Sequence, residues 1–193
     1  MKRPTAAQGV LSTGAIVASL TGVQFVGASP AAASHADPFH WDRFVPTATA
    51  IAQMYAVDHT SSDWPVNAST IEWNKSSAIG FYYRNPGTCN TSTLNCIPVY
   101  NGDYGATNWY GRTTFSVGSG NHIVRNSMTV LLNDHYKLTT DQHRSVTCHE
   151  LGHATGVFND SLSSSTSCMT SDSNFPRFPN QHDYDVLAWI YAH

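Results

Sequence analysis

His149-Glu150-Leu151-Gly152-His153 is an H-E-x-x-H motif, and it ends a stretch, Thr139 to His153, that reads as one long helix. On a helix, residues i and i+4 stand one above the other, so both imidazoles face one point. Two ring nitrogens placed that way can hold zinc at about 2.0–2.1 Å. Glu150 follows the first histidine and projects beside the metal, where a carboxylate can take a proton from zinc-bound water. Glu72 and Glu150 are the only glutamates in the chain, so the motif does not come from an acid-rich composition. Thr139 or Thr140 is expected to cap the helix, with Asp141 well placed in its first turn.

The motif needs a third ligand. No glutamate follows Glu150, which excludes sites that draw that ligand from a downstream glutamate. The alternative is the longer pattern H-E-x-x-H-x-x-G-x-x-H, whose glycine lets the chain turn back to the metal. His149, Glu150, His153 and Gly156 match it. Asn159 stands where the last histidine would be, and Asp160 comes one residue later. Met169 lies further on, directly after Cys168.

Before the helix the pattern is mostly strand. Ile51–Asp58, Ala78–Arg84, Ile97–Tyr100, Arg112–Val117 and Ile123–Asn133 read as five strands. Ser62–Asn74 reads as a helix capped by Ser62 or Asp63, with Pro65 in its first turn and Val66, Ser69, Thr70 and Trp73 on one face. Gln181–Ala192 reads as a last helix, with Tyr184, Leu187, Ala188 and Tyr191 at helical spacing. Ser161–Ser167 is a loop by composition. The sum is an α+β layered domain.

The N-terminus reads differently. Met1-Lys2-Arg3 is basic, Val10 to Ala28 carries no charge, and Ala31, Ala32 and Ala33 follow. That is the pattern of a secretory signal peptide, cut after Ala33 or, as second choice, after Ala36. The expected organisation is a signal peptide at 1–33, an N-terminal segment at 34–46 and a catalytic domain at 47–193. Removing the leader takes the net charge from −3 to −5, since Lys2 and Arg3 are lost and no acid is. The remaining basic residues form no run or stripe, which argues against a nucleic-acid partner. No second apolar segment is long enough to span a membrane. All four cysteines follow the leader, and an even count in an oxidising compartment favours disulfides. Of the three pairings, the expected one is Cys89–Cys96, a short local loop, with Cys148–Cys168.

The H-E-x-x-H-x-x-G segment followed by Met169 resembles the metzincin clan of zinc metalloproteases, and within it the small secreted matrixin-like proteases of actinobacteria, with snapalysin more distant. Trp64 to Asn74 resembles the clan's first helix, and Asn108 to Thr113 (NWYGRT) the loop before its edge strand. TVLLN, SCM and DYDVLAWIYAH are also similar, so the resemblance spans most of residues 47–193. It implies a five-stranded mixed, twisted sheet, an active-site helix and a C-terminal helix. It also implies an extended polypeptide substrate laid along an edge strand near Thr113–Val117.

The expectation is therefore a secreted, monomeric zinc metalloendopeptidase. His149, His153 and Asp160 hold the zinc, Glu150 is general base, Gly156 the turn glycine and Met169 the Met-turn. For the third ligand the choice taken is Asp160, after a one-residue adjustment of the loop, because snapalysin-like enzymes use an aspartate in that slot. Asn159 through its amide oxygen is the alternative. A site with neither would leave a weak or inactive binding or inhibitory protein on the same fold. His122, His135, His143 and His182 lack metal spacing and read as surface or core residues. Asp103 and Asp134 raise the question of Ca2+, but without EF-hand-like spacing they read as loop turns.

Overall fold

The computed structural model describes residues 39–42, 51–159, 166–170 and 174–192. The leader, Asp160 and most of the serine-rich loop lie outside them. The strands are β1 (Ala52–Asp58), β2 (Ile79–Arg84), β3 (Cys96–Gly102), β4 (Gly111–Thr114) and β5 (Thr129–Asn133). The α-helices are α1 (Val66–Trp73), α2 (Thr140–Ala154) and α3 (Gln181–Ile190).

The strands form one mixed sheet in the order β2-β1-β3-β5-β4. β2, β1, β3 and β5 run parallel, and β4 closes one edge antiparallel to β5. Ala52, Met54 and Ala56 of β1 are fully buried on one face; on the other, Gln53 is exposed while Tyr55 and Val57 are largely covered. Met54, Phe81, Ile97, Val99, Val130 and Leu132 form the sheet's half of the core. Val66 and Trp73 of α1, Leu151 of α2 and Leu187 of α3 supply the other half. The architecture is α+β, with a five-stranded mixed sheet, a long helix carrying the H-E-x-x-H motif and a C-terminal helix.

Local chemistry explains where α2 and α3 begin. Thr139 accepts from the Gln142 amide and the Gln142 side chain returns a bond to the Thr139 amide, a capping box. Asn180 and Asp183 do the same for α3. Gly156 ends the run after α2 with φ +99°, a conformation that favours glycine.

Several elements depart from the sequence reading. α1 starts at Val66, with Pro65 at its cap and no capping side chain, because Ser61–Trp64 is a turn. That turn is held by the Trp64 indole, which donates to Asp134 at 2.8 Å. β5 starts at Thr129 rather than Ile123, because Asn126 takes φ 61° and Ser127 turns back to Val124. β4 is Gly111–Thr114, one residue earlier and shorter than expected, and Val117 only makes an isolated bridge to Ile123. On α3, Asp183, Leu187 and Ile190 are buried and Ala188 is exposed.

Residues 39–42 pack into the domain, although the sequence reading places them ahead of it. Trp41 is 1% exposed and its indole donates to the Ala154 carbonyl at 2.8 Å, at the end of α2. Its main-chain amide donates to the Tyr191 hydroxyl, which donates in turn to the Thr155 carbonyl.

Candidate metal centre

The last two turns of α2 carry His149, Glu150 and His153. Each histidine ring is fixed by a main-chain carbonyl. His149 Nδ1 donates to Cys168 at 2.7 Å and His153 Nδ1 to Val157 at 2.8 Å. A carbonyl oxygen only accepts, so both Nδ1 atoms carry hydrogen, and a neutral ring then has a bare Nε2. The two Nε2 atoms face each other 3.0 Å apart. Burial keeps the rings neutral by lowering the pKa of both, that of His153 to about 3, where proximity to His149 adds to the effect. Two lone pairs aimed at one another repel unless a cation lies between them. Tetrahedral zinc with nitrogens at about 2.0–2.1 Å would set them roughly 3.3 Å apart, a few tenths of an ångström from their present positions. The pair fits a metal.

Among the described residues no third His, Cys, Asp or Glu joins the pair. Asn159 does. Its side chain hydrogen-bonds toward both rings and favours their charged forms. Asp160, the residue chosen from sequence, lies outside the described residues.

Glu150 is 5% exposed, against β4. Its Oε2 accepts from the Thr113 hydroxyl at 2.8 Å. Gly111 lies over it so closely that a Cβ there would stand 2.5 Å from Glu150 Cγ. Burial pushes the carboxyl up to about 7, against the Thr113 hydroxyl, the Arg112 charge and the Thr113 amide, which pull it down.

The floor of the site is tied together. Cys148 and Cys168 are joined, as are Cys89 and Cys96. Met169 is fully buried, and a Cβ at Gly152 would collide with its sulfur and with Trp73. Ser167 donates to Asp183 at 2.6 Å and accepts from the Met169 amide at 2.9 Å, which fastens this turn to α3. The sequence reading gives Asp183 no site role and places Thr113 only on the edge strand, not beside Glu150. Asp183 had a visible signal, its position three residues after Asn180 in a capping box; Thr113 had none.

The other histidines are elsewhere: His122 pairs with Asp42, His135 with Asp103, and His143 packs edge-on to Trp64. Asp103 accepts from the Gly105 amide, and Asp134 from Trp64 and Asn101, so both serve loop hydrogen bonds.

No protein-family model and no curated protein matches the chain. Among solved structures, one of myroilysin is similar over 80% of this chain and 96% of its own, at 14% identity and a TM-score of 0.48. A second structure of myroilysin is similar over 89% of this chain and 100% of its own, at 13% identity and a TM-score of 0.46.

Proposed function

We propose that this protein is a secreted zinc-dependent metalloendopeptidase. The observation that carries the reading is the pair of bare Nε2 atoms, 3.0 Å apart, with the Glu150 carboxyl on the same helix. His149, His153 and the Asn159 amide oxygen, the alternative third ligand of the sequence reading, are the ligands in this reading; Asp160 lies outside the described residues. When bound, the metal supplies a Lewis acid that polarises the scissile carbonyl and acidifies water. Glu150, buried beside the two rings, takes a proton from the attacking water and delivers it to the leaving amine. The substrate main chain lies against β4 as an added strand. Two disulfides and the apolar leader support export.

A second reading has one observation in its favour. A neutral amide is a weaker zinc donor than a third imidazole or a carboxylate. A site built on it could serve a binding or inhibitory protein on the same fold. Zinc content after purification, measured together with casein cleavage, separates the two. Wild type should hold zinc and cleave; the Glu150→Gln variant should hold zinc and not cleave. Cleavage by Glu150→Gln at the wild-type rate would end the peptidase reading.

A further inference from the structure

We infer that Thr113 is a positioning residue for Glu150 and couples the substrate-binding edge of the sheet to the base; the inference rests on the peptidase reading. The register places Gly111 opposite Leu132 and Thr113 opposite Val130. Asn133 donates its amide to the Tyr110 carbonyl at 2.8 Å, which makes that neighbouring pair a hydrogen-bonded one. Antiparallel pairs alternate, so Gly111 and Thr113 turn their main-chain groups away from β5, toward the open edge. The same alternation sends their side-chain positions toward α2: Gly111 and Thr113 are buried, while Arg112 and Thr114 are partly exposed. One residue therefore stands at the open edge, gives its hydroxyl and its main-chain amide to the base, and leaves its carbonyl for an added strand.

The hydroxyl is suited to a group that gains and loses a proton in every turnover. It has one hydrogen and two lone pairs. Two acceptors on Glu150 lie within its reach, Oε2 at 2.8 Å and the main-chain oxygen at 2.9 Å. While Glu150 is a carboxylate, Thr113 donates to Oε2. When the proton goes to the other carboxyl oxygen, Oε2 stays an acceptor and Thr113 goes on donating to it, with the main-chain oxygen as a second acceptor in reach. The carboxyl group is held in one place through both halves of the cycle. Among the described residues, no other residue hydrogen-bonds this carboxylate. Gly111 completes the arrangement, since any side chain there would displace the carboxyl from Thr113.

The test compares wild type, Glu150→Gln, Thr113→Val and Thr113→Ser with labelled casein as probe. Each is measured for kcat, KM, bound zinc and melting temperature. Valine keeps the shape and strand preference and removes the hydroxyl; serine keeps the hydroxyl. Thr113→Val should lose about 10- to 100-fold in kcat, with zinc content, melting temperature and KM near wild type. Thr113→Ser should recover most of that loss. Unchanged kcat in Thr113→Val overturns the inference. So does a Thr113→Ser as slow as Thr113→Val, or a loss that follows zinc content or melting temperature. If wild type leaves casein intact, or Glu150→Gln cleaves it equally well, the peptidase reading falls and takes the inference with it. If Glu150→Gln is inactive and Thr113→Val is not, the inference alone falls.

Discussion

The carbonyl of Cys168 accepts from His149 Nδ1 at 2.7 Å, and the same cysteine is bonded through sulfur to Cys148, the residue before His149. One residue thus orients the ring and is covalently tied to the helix that carries it. Hydrogen bonds of this kind set which nitrogen a histidine offers to a metal. Replacing both cysteines, Cys148→Ser with Cys168→Ser, should remove roughly 3 kcal/mol of stability by the chain-entropy argument. It should also let zinc pass to a chelator faster than in wild type. Equal rates of transfer would show that the bridge has no part in holding the site.

Residue 159 should set zinc affinity. Asn159→His replaces a neutral oxygen with an imidazole and should tighten binding, and Asn159→Ala should weaken it. Each shift should be at least as large as the effect of losing an outer hydrogen-bond partner, about 10- to 100-fold. Asp160→Ala should leave affinity within about twofold, on the same scale. Competition with a chromophoric chelator reads all three. A large loss in Asp160→Ala with none in Asn159→Ala would return the third ligand to Asp160.

The α2 helix and its two imidazoles were legible because every signal is local: i, i+4 spacing, a threonine cap with Asp141 in the first turn, and Gly156 at the stop. β1 was legible from its short length and the turn-rich HTSSD after it, since its burial does not alternate cleanly. Other features depend on partners far along the chain. Pro65 became a cap because the Trp64 indole binds Asp134, 70 residues away. The Thr113–Glu150 bond joins an edge strand to a helix 37 residues on, and no spacing rule announces it. Asn159 and Asp160 were both visible as candidates. Their choice depends on how the loop after Gly156 is routed, and composition does not encode that.

Stability of the zinc-free protein should depend on pH with a sign set by the histidines. Both have folded pKa values below the ordinary 6.5, that of His153 at about 3, chiefly through burial. Groups with depressed folded pKa values contribute stability above the unfolded value and lose it as pH falls. Glu150 acts the other way: raised from 4.5 to about 7 by burial, it favours the folded state as pH falls through that interval. Two rings oppose one carboxyl, so the melting temperature of the chelated protein should drop as pH falls below about 6.5. The drop should be steeper in Glu150→Gln, which lacks the opposing group. Melting temperatures measured from pH 7 to pH 4 with chelator present check both signs. A shallower slope in Glu150→Gln would contradict the assignment.

Trp41 should behave as a core residue of the domain. It is 1% exposed, donates from its indole to Ala154 and from its amide to the Tyr191 hydroxyl, and so joins the start of the described chain to α2 and to the end of α3. Trp41→Ala should lower stability by about 3–5 kcal/mol, the usual loss for a large buried aromatic residue. Trp41→Phe keeps most of the packing and loses the indole bond. It leaves the Ala154 carbonyl without that partner, so a loss of about 1–3 kcal/mol is expected. Urea unfolding of the two variants orders the effects. If Trp41→Ala is no less stable than wild type, residues 39–42 are not held against α2 and α3, and the domain begins after them.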